Sequence, residues 1–246
     1  MVKADEYRRI LRSLSEWDEY LMEKSGLPGP RGNIELAEVV AEEGNPSLFK
    51  RYIAISPTEA PVNSAGEFLV FSGILGLGRL LAEGDHSQLL VLRDFAKDPR
   101  WRVREAVAMA LQNLGDVDMA LLITEMEQWS KRSLLEKRAA AAALCEPRLL
   151  KKPEHNLVVL NILDEITSSI EQIDSRRSTD FLVLRKGLAY CWSVATASQP
   201  EEGKKMIEKW LGRADQDIRW IMKQNLNKAR LARMDAEWVA KCQNLI

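Results

Sequence analysis

Apolar residues recur every three to four positions along most of this chain, which is the period of one face of an α-helix. The first such segment, Ala4 to Lys24, is followed by a stretch of glycine and proline, and the next begins at Ile34, where Asn33 is placed to cap a helix. No segment alternates between apolar and polar residues as a half-buried strand does. The pattern therefore predicts an all-α protein.

The same periodicity divides the rest of the chain into helices separated by short turns. They are predicted at about 34–43, 45–55, 67–83, 87–97, 99–114, 118–130, 133–145, 156–173, 179–197, 201–212, 215–231 and from 235 onwards. The longest predicted loop, 56–66, contains Pro57 and Pro61. We therefore expect an irregular helical portion over 1–66 and a more regular helical array over 67–246, as parts of one continuous structural domain.

A glycine-rich segment, Gly73 to Gly78, interrupts the most apolar of these helices. A phosphate-binding loop would need a preceding strand and a following Lys-Ser or Lys-Thr, and this segment has neither. Glycines at helical spacing instead predict close packing against a neighbouring helix, at a cost of about 1 kcal/mol each in helix propensity relative to alanine. The five alanines of Ala139 to Ala143 predict a second close approach.

The strongest feature of the sequence is an internal repeat. Segments 95–111 and 210–226 place an aromatic residue, a β-branched residue, an arginine and a leucine at the same offsets. A third copy begins at Trp129, 34 residues after Phe95, and a degenerate one is expected at 181–195. Each copy predicts a helix that ends in an aromatic residue, a short turn, and a second helix with a buried apolar stripe. Since one such pair cannot bury both of its faces, neighbouring pairs must stack.

These repeats resemble HEAT repeats. The residues that carry the resemblance are Asp98-Pro99, Val103-Arg104, Ala106, Ala110 and Leu111, and again Asp215 to Arg219. The resemblance extends over 87–231 and implies a right-handed α-solenoid, or α-α superhelix, of about five helical pairs. The second helices of such a solenoid line its concave face. An arginine at the repeat position typically bonds acids or carbonyls of a neighbouring turn, which is the structural role expected of Arg104, Arg138 and Arg219.

Composition fits an ordered protein and limits the classes of function. The 246 residues are 46% apolar with a net charge of −1, so the chain as a whole is not a basic nucleic-acid binder. Charge is uneven, with nine basic and three acidic residues over 203–233. The three cysteines are far apart and predict buried thiols rather than a disulfide framework. The N-terminal residues do not resemble a signal peptide, and the apolar stretch 68–82 is short for a bilayer span, so we expect a cytoplasmic protein without membrane contact.

Residues suited to catalysis or metal binding do not cluster in the sequence. The two histidines, His86 and His155, both lie in polar turns, and no pair of cysteines has metal-ligand spacing. No nucleophile motif accompanies the serines. We therefore predict no metal, no cofactor and no catalytic residue, and we favour a protein that is not an enzyme.

Basic and aromatic residues interleave at the starts of the repeats' second helices. The candidate nucleic-acid-binding residues are Trp101, Arg102, Arg104, Arg185, Lys186, Arg219, Trp220 and Lys223. On one surface, such residues would suit a phosphate backbone and a stacked base. The set is similar by residue type to the groove of the HEAT-like DNA alkylation-repair glycosylases, with Trp101, Trp220, Arg104 and Arg219 as counterparts. No acid matches that family's catalytic motif.

Two functions follow from these patterns. The first is a non-catalytic HEAT-like scaffold that binds a protein partner through its concave face. The alternative is a DNA-binding or DNA-glycosylase-like protein of the alkylation-repair type. If Arg104, Arg185, Lys186, Arg219 and Lys223 share one face, the alternative gains support. If they instead point at acids in adjacent repeats, the scaffold gains support.

Overall fold

The structure is a computed structural model that describes residues 3–245. Over those residues the protein is all-α, as the periodicity predicts, and no strand occurs in them. The chain forms two compact units, Met1–Val117 and Asp118–Ile246. The division between the two units falls after Val117.

The described residues of the first unit form seven helices. They are α1 Lys3–Ser13, α2 Asp18–Lys24, α3 Ile34–Glu43, α4 Pro46–Ile53, α5 Ala65–Ala82, α6 Gln88–Phe95 and α7 Trp101–Val117. The central helix is α5, which packs against α2, α3 and α4 and also against α6 and α7. Because neighbours cover it on several sides, α5 is apolar all round, and most of its side chains are buried.

The glycines of α5 lie at its closest helix contacts, which confirms the prediction of tight packing. A β carbon at Gly76 would lie 2.3 Å from the Phe49 ring, and one at Gly78 would lie 2.5 Å from the Ala110 Cα atom. The first contact is with α4 and the second with the backbone of α7. Glycine is therefore needed at these positions for the helices to approach one another, although it weakens the helix itself.

The loop before α5 is fastened to the turn between α6 and α7 by a buried arginine. Arg100 is 1% exposed, and its guanidinium binds both carboxylate oxygens of Asp98, at 2.9 and 2.7 Å. It also donates to the carbonyl oxygens of Ile55 and Ala60, at 3.2 and 3.3 Å. The predicted loop 56–66 is thus an integral part of the first unit.

The second unit contains the remaining helices. They are α8 Met119–Trp129, α9 Leu134–Leu144, α10 Pro153–Ser169, α11 Thr179–Ser198, α12 Pro200–Leu211, α13 Gln216–Leu226, α14 Ala229–Met234 and α15 Ala236–Gln243. Here α11 is central, and it packs against α9, α10, α12 and α13. The five-alanine segment of α9, which packs against α11, is buried except for the half-buried Ala142.

The three predicted repeat copies correspond to the helix pairs α6–α7, α8–α9 and α12–α13, and the helices of each pair are in contact. The aromatic residue lies at or next to the end of the first helix in each pair. Trp129 and Trp210 are 2% and 1% exposed and belong to the core, whereas Phe95 is half-buried. The degenerate copy at 181–195 lies within the single long helix α11.

Capping residues determine where several helices begin, and the predicted cap Asn33 is one of them. Asn33 and Asn45 accept hydrogen bonds from the backbone amides of α3 and α4, and Asp118 does the same for α8. Ser133 and Glu136 form a complete capping box at the start of α9. Asp215 accepts from two backbone amides at the start of α13.

Two predicted helices are each interrupted. The segment 4–24 is two helices, because the chain leaves the helix after Ser13, whose hydroxyl donates to the Ile10 carbonyl oxygen, and Trp17 Nε1 then donates to the Leu11 carbonyl oxygen. These side chains satisfy carbonyls that would otherwise continue the helix. The segment 215–231 likewise divides at Asn227, where α13 ends before α14 begins.

The cysteines and the most apolar helix fit a well-packed core. Cys145, Cys191 and Cys242 are free and buried, as predicted. By length and composition alone α5 is suited to cross a membrane, with a mean hydropathy of 1.5, but 72% of its 18-residue window is buried inside the structure. Burial of this extent is typical of a core helix in a soluble protein.

Candidate binding pocket

An apolar cavity of about 350 Å³ opens on the surface of the first unit, and we call it the Trp101 pocket. Its walls come from the loop between α2 and α3, from α5 and from the first half of α7. The lining residues are Leu27, Pro30, Arg31, Gly32, Ile34, Phe68, Phe71, Trp101, Arg102, Glu105 and Met109. Cavities of this size, lined by apolar and aromatic side chains with a few polar groups, are typical of binding sites.

The loop wall is held in place by hydrogen bonds to other elements. Gly29 N donates to the Asn63 Oδ1 atom at 3.1 Å, and the Gly29 carbonyl oxygen accepts from Arg102 Nη2 at 2.6 Å. The Leu27–Pro28 peptide bond in this loop is cis. The backbone of Gly29 therefore ties this wall of the pocket to two elements, the loop before α5 and α7.

A buried ion pair links α5 and α7 beside the cavity. Arg102 Nη1 lies 3.4 Å from Glu67 Oε2, and the two side chains are 7% and 0% exposed. Glu67 Oε2 also accepts from the Asn63 backbone amide at 2.8 Å. The charges of Arg102 and Glu67 offset each other, so the buried side of the cavity has little net charge.

The rim of the pocket is apolar and open to solvent. Trp101 and Ile34 are each 46% exposed, although both are large hydrophobic residues. The Arg102 guanidinium lies 4.3 Å from the centroid of the Trp101 ring, a cation–π contact that orients the indole. Exposed apolar side chains that continue into an apolar cavity mark a surface suited to binding another molecule.

Two of the predicted repeat arginines bind carbonyl groups of the protein itself. Arg104 Nη1 donates to the carbonyl oxygens of Asp98 and Pro99, in the turn just before its own helix. Arg219 Nη2 donates to the Leu245 carbonyl oxygen at 3.1 Å. Both arginines are half-buried. These contacts are of the structural kind expected for a repeat arginine.

The remaining candidate residues lie on α11 and α13 of the second unit. Arg185 Nη1 lies 2.6 Å from Asp217 Oδ1, and its guanidinium lies 4.3 Å from the centroid of the half-buried Trp220 ring. Arg176 pairs with the same aspartate, at 3.2 Å. Lys186 and Lys223 are exposed and make no ion pair with any residue in 3–245. The structure thus brings Arg185 and Trp220 together and leaves two lysines open to solvent.

The residues that line the Trp101 pocket are mostly apolar. No group of three or more His, Cys, Asp or Glu side chains that could hold a metal ion occurs in residues 3–245. The charged residues that line the Trp101 pocket are the exposed Arg31, Glu105 and Arg102, and Arg102 is paired with the buried Glu67. This arrangement can recognise an apolar group and a charge.

Comparison with known proteins shows the fold alone. No family model matches the chain, and no curated protein matches it significantly. The crystal structure of smu.31 from Streptococcus mutans UA159 is similar over 91% of this chain and 98% of that chain, with a TM-score of 0.58 and 18% sequence identity. The name of that protein states no activity. The all-helical fold therefore has a solved counterpart, which leaves the function to be argued from the site.

Most residues of the Trp101 pocket were not among the sequence candidates. Only Trp101 and Arg102 belong to both sets. Leu27 and Ile34 were interpreted as loop and helix-start positions, and Met109 was given no role. The signal that points to the pocket is the combination of a Gly- and Pro-rich loop with an exposed apolar residue after a helix cap. That signal becomes specific only when the fold places the loop against α7.

Proposed function

We propose that this protein is a non-catalytic scaffold of HEAT-like helical pairs, arranged as a right-handed solenoid, that binds a protein partner at the Trp101 pocket. The observation that carries the proposal is the continuous apolar surface that runs from the exposed Trp101 and Ile34 into a 350 Å³ cavity. Tryptophan in a well-formed pocket is the residue type that contributes most to protein interfaces. In a HEAT-like solenoid, α7 is a second helix and would lie on the concave face.

The internal partners of the basic residues support the same proposal. Of the predicted nucleic-acid contacts, Arg102, Arg104, Arg185 and Arg219 each donate to an acid or carbonyl of their own unit. A phosphate would have to compete with these bonds for the orientation of each guanidinium. Cations used in this way stabilise the helical pairs and leave the apolar pocket as the more available surface of the first unit.

The test is a partner capture with matched variants. Affinity-tagged wild-type protein and the Trp101→Ala and Leu90→Ala variants are incubated with extract of the source cells, and bound proteins are quantified by mass spectrometry. Leu90 is 60% exposed and does not line the pocket, so it controls for the loss of an exposed apolar side chain. We expect at least one partner to be lost with Trp101→Ala, kept with Leu90→Ala, and to bind again as a purified protein. Equal capture by all three proteins would contradict the proposal.

Nucleic-acid binding is the second candidate, supported by the surface of α11 and α13. Arg185 over Trp220, with the exposed Lys186 and Lys223, offers a cation and an aromatic ring near solvent. Fluorescence anisotropy of duplex DNA, with and without an alkylated base, tests it at several salt concentrations. Micromolar binding that weakens steeply with salt and with Lys223→Glu would support this function and call for a base-release assay. Absence of binding at low salt would exclude it.

A further inference from the structure

The Trp101 pocket is larger than one small apolar group requires and has an extended rim. An engineered cavity of about 150 Å³ already holds benzene, and this cavity has about 350 Å³. The exposed faces of Trp101 and Ile34 continue the apolar surface outside the cavity. A molecule confined to the cavity would leave these faces in water, so the best-fitting occupant fills the cavity and also covers the rim.

The charged side chains that line the pocket differ in how freely they could pair with such an occupant. Arg102 is 7% exposed and already bonds Glu67 and the Gly29 carbonyl oxygen. Glu105, on the α7 wall, has an interaction within the protein. Arg31 is exposed on the loop wall, and no acidic side chain in residues 3–245 pairs with it. Among the charged residues that line the pocket, Arg31 is therefore best placed to form an ion pair with a bound partner, and the matching group is a carboxylate.

We infer that the Trp101 pocket takes a large apolar side chain of a protein partner that carries an Asp or Glu beside it, with the carboxylate paired to Arg31. This inference rests on the proposed function and specifies the partner's chemistry. The apolar side chain fills the cavity between Phe68, Phe71 and Met109, and the neighbouring backbone of the partner covers the rim. The ion pair at the edge gives orientation and selectivity more than affinity, as rim charges do.

The probe is a phage library of random dodecapeptides, selected on the wild-type protein and counter-selected on the Ile34→Asp variant. Ile34 is exposed at the first position of α3, where an acid suits the helix dipole, so this variant keeps its fold while placing a charge at the rim. Circular dichroism confirms folding of each variant. Enriched peptides are synthesised with their acid as found, replaced by Gln, and replaced by Lys.

We expect enriched peptides to contain a large apolar residue within a few positions of Asp or Glu. On wild-type protein, replacing the acid by Lys should weaken binding about threefold to tenfold, and on Arg31→Glu the order of the Lys and acid peptides should reverse. Reversal by charge exchange is a result that a merely hydrophobic surface would not produce.

Three results would overturn the inference. Peptides that depend on the pocket but are indifferent to Arg31→Glu would remove the acid requirement and leave the protein-binding proposal standing. Failure to enrich any peptide over the Ile34→Asp variant would remove this class of occupant, while the partner capture with Trp101→Ala still decides the proposed function. Binding of free 3-phenylpropionate as tightly as the best peptide would make the occupant a small carboxylate and not a protein segment.

Discussion

Arg100 is a strong test of how the first unit is held together, because its charge is buried and its partners are all within the unit. The Arg100→Met substitution keeps an apolar chain of similar length and removes the guanidinium. Asp98 is 8% exposed. Without the guanidinium, the donor that remains close to its carboxylate among the described residues is the backbone amide of residue 100, at 2.8 Å. The substitution also removes the donor to the buried Ala60 carbonyl oxygen.

Removing one partner of a buried ion pair costs about 3–5 kcal/mol, because an uncompensated charge stays in a poorly solvated site. We therefore expect Arg100→Met to lower the free energy of unfolding of the first unit by about 4 kcal/mol. The Asp98→Asn variant should cost a similar amount, since it leaves the arginine charge unpaired. The double variant leaves neither charge, and its loss should be smaller than the sum of the single losses by about 1–3 kcal/mol.

Urea unfolding followed by circular dichroism measures these losses. Two compact units need not unfold in one transition, so hydrogen exchange of peptides from α5 and α7 assigns the loss to the first unit. Arg213→Met is the matched control, because Arg213 is 53% exposed and 3.9 Å from Glu171, and its loss should stay below about 1 kcal/mol. A loss below about 1 kcal/mol for Arg100→Met, or strictly additive single losses, would refute the reasoning.

Three further predictions test packing and ionisation. Gly78→Ala forces a β carbon against the backbone of α7. We expect urea unfolding to show a loss of about 1–3 kcal/mol in stability, although alanine has the better helix propensity. Unchanged stability would show that α5 and α7 can move apart to make room. Burial raises the pKa of the Cys145 thiol well above its usual value and that of the Cys242 thiol to about 11. A thiol reagent at pH 8 should therefore label the cysteines slowly in the native protein and at once in urea-unfolded protein. Fast labelling of the native protein would contradict this prediction. The hydrogen bond from Arg51 lowers the pKa of Asp18. The stability that the ionised Asp18 adds to the fold is therefore present above pH 3.8 and is lost as the pH falls through the lower native pKa. Asp18→Asn should flatten the acid side of the curve of unfolding free energy against pH, and an unaltered curve would exclude this contribution.

Features determined by neighbours in the chain could be predicted from the sequence. The caps at Asn33, Asn45 and Ser133 were predictable because a cap binds amides two or three residues ahead. The close packing at Gly76 and Gly78 was predictable because long apolar helices tolerate glycine only where a neighbour comes near. The break after Ser13 was not predicted, because the apolar period continues across it and gives no sign of the side-chain bonds that end α1.

Features determined by distant parts of the chain could not be predicted in the same way. The Trp101 pocket joins three segments, 27–34, 68–71 and 101–109, and their proximity depends on how α5 packs against α7. The sequence likewise placed Arg102 among the groove cations, although its partners Glu67 and Gly29 lie 35 and 73 residues away. Residue type shows that an arginine needs partners and does not show whether they lie inside the protein.

In the segment Arg100-Trp101-Arg102, two charged side chains hold the walls of an apolar pocket in place. Arg100 in the turn before α7 and Arg102 on α7 are both buried, whereas Trp101 between them is 46% exposed. Arg100 fixes the loop before α5, and Arg102 fixes both the loop wall and the Trp101 ring. If these arginines bound a ligand directly, the walls of the pocket would lose the bonds that position them. The basic residues at the start of α7 are therefore better suited to shape the pocket than to bind a polyanion, and a partner would meet the tryptophan that they hold in place.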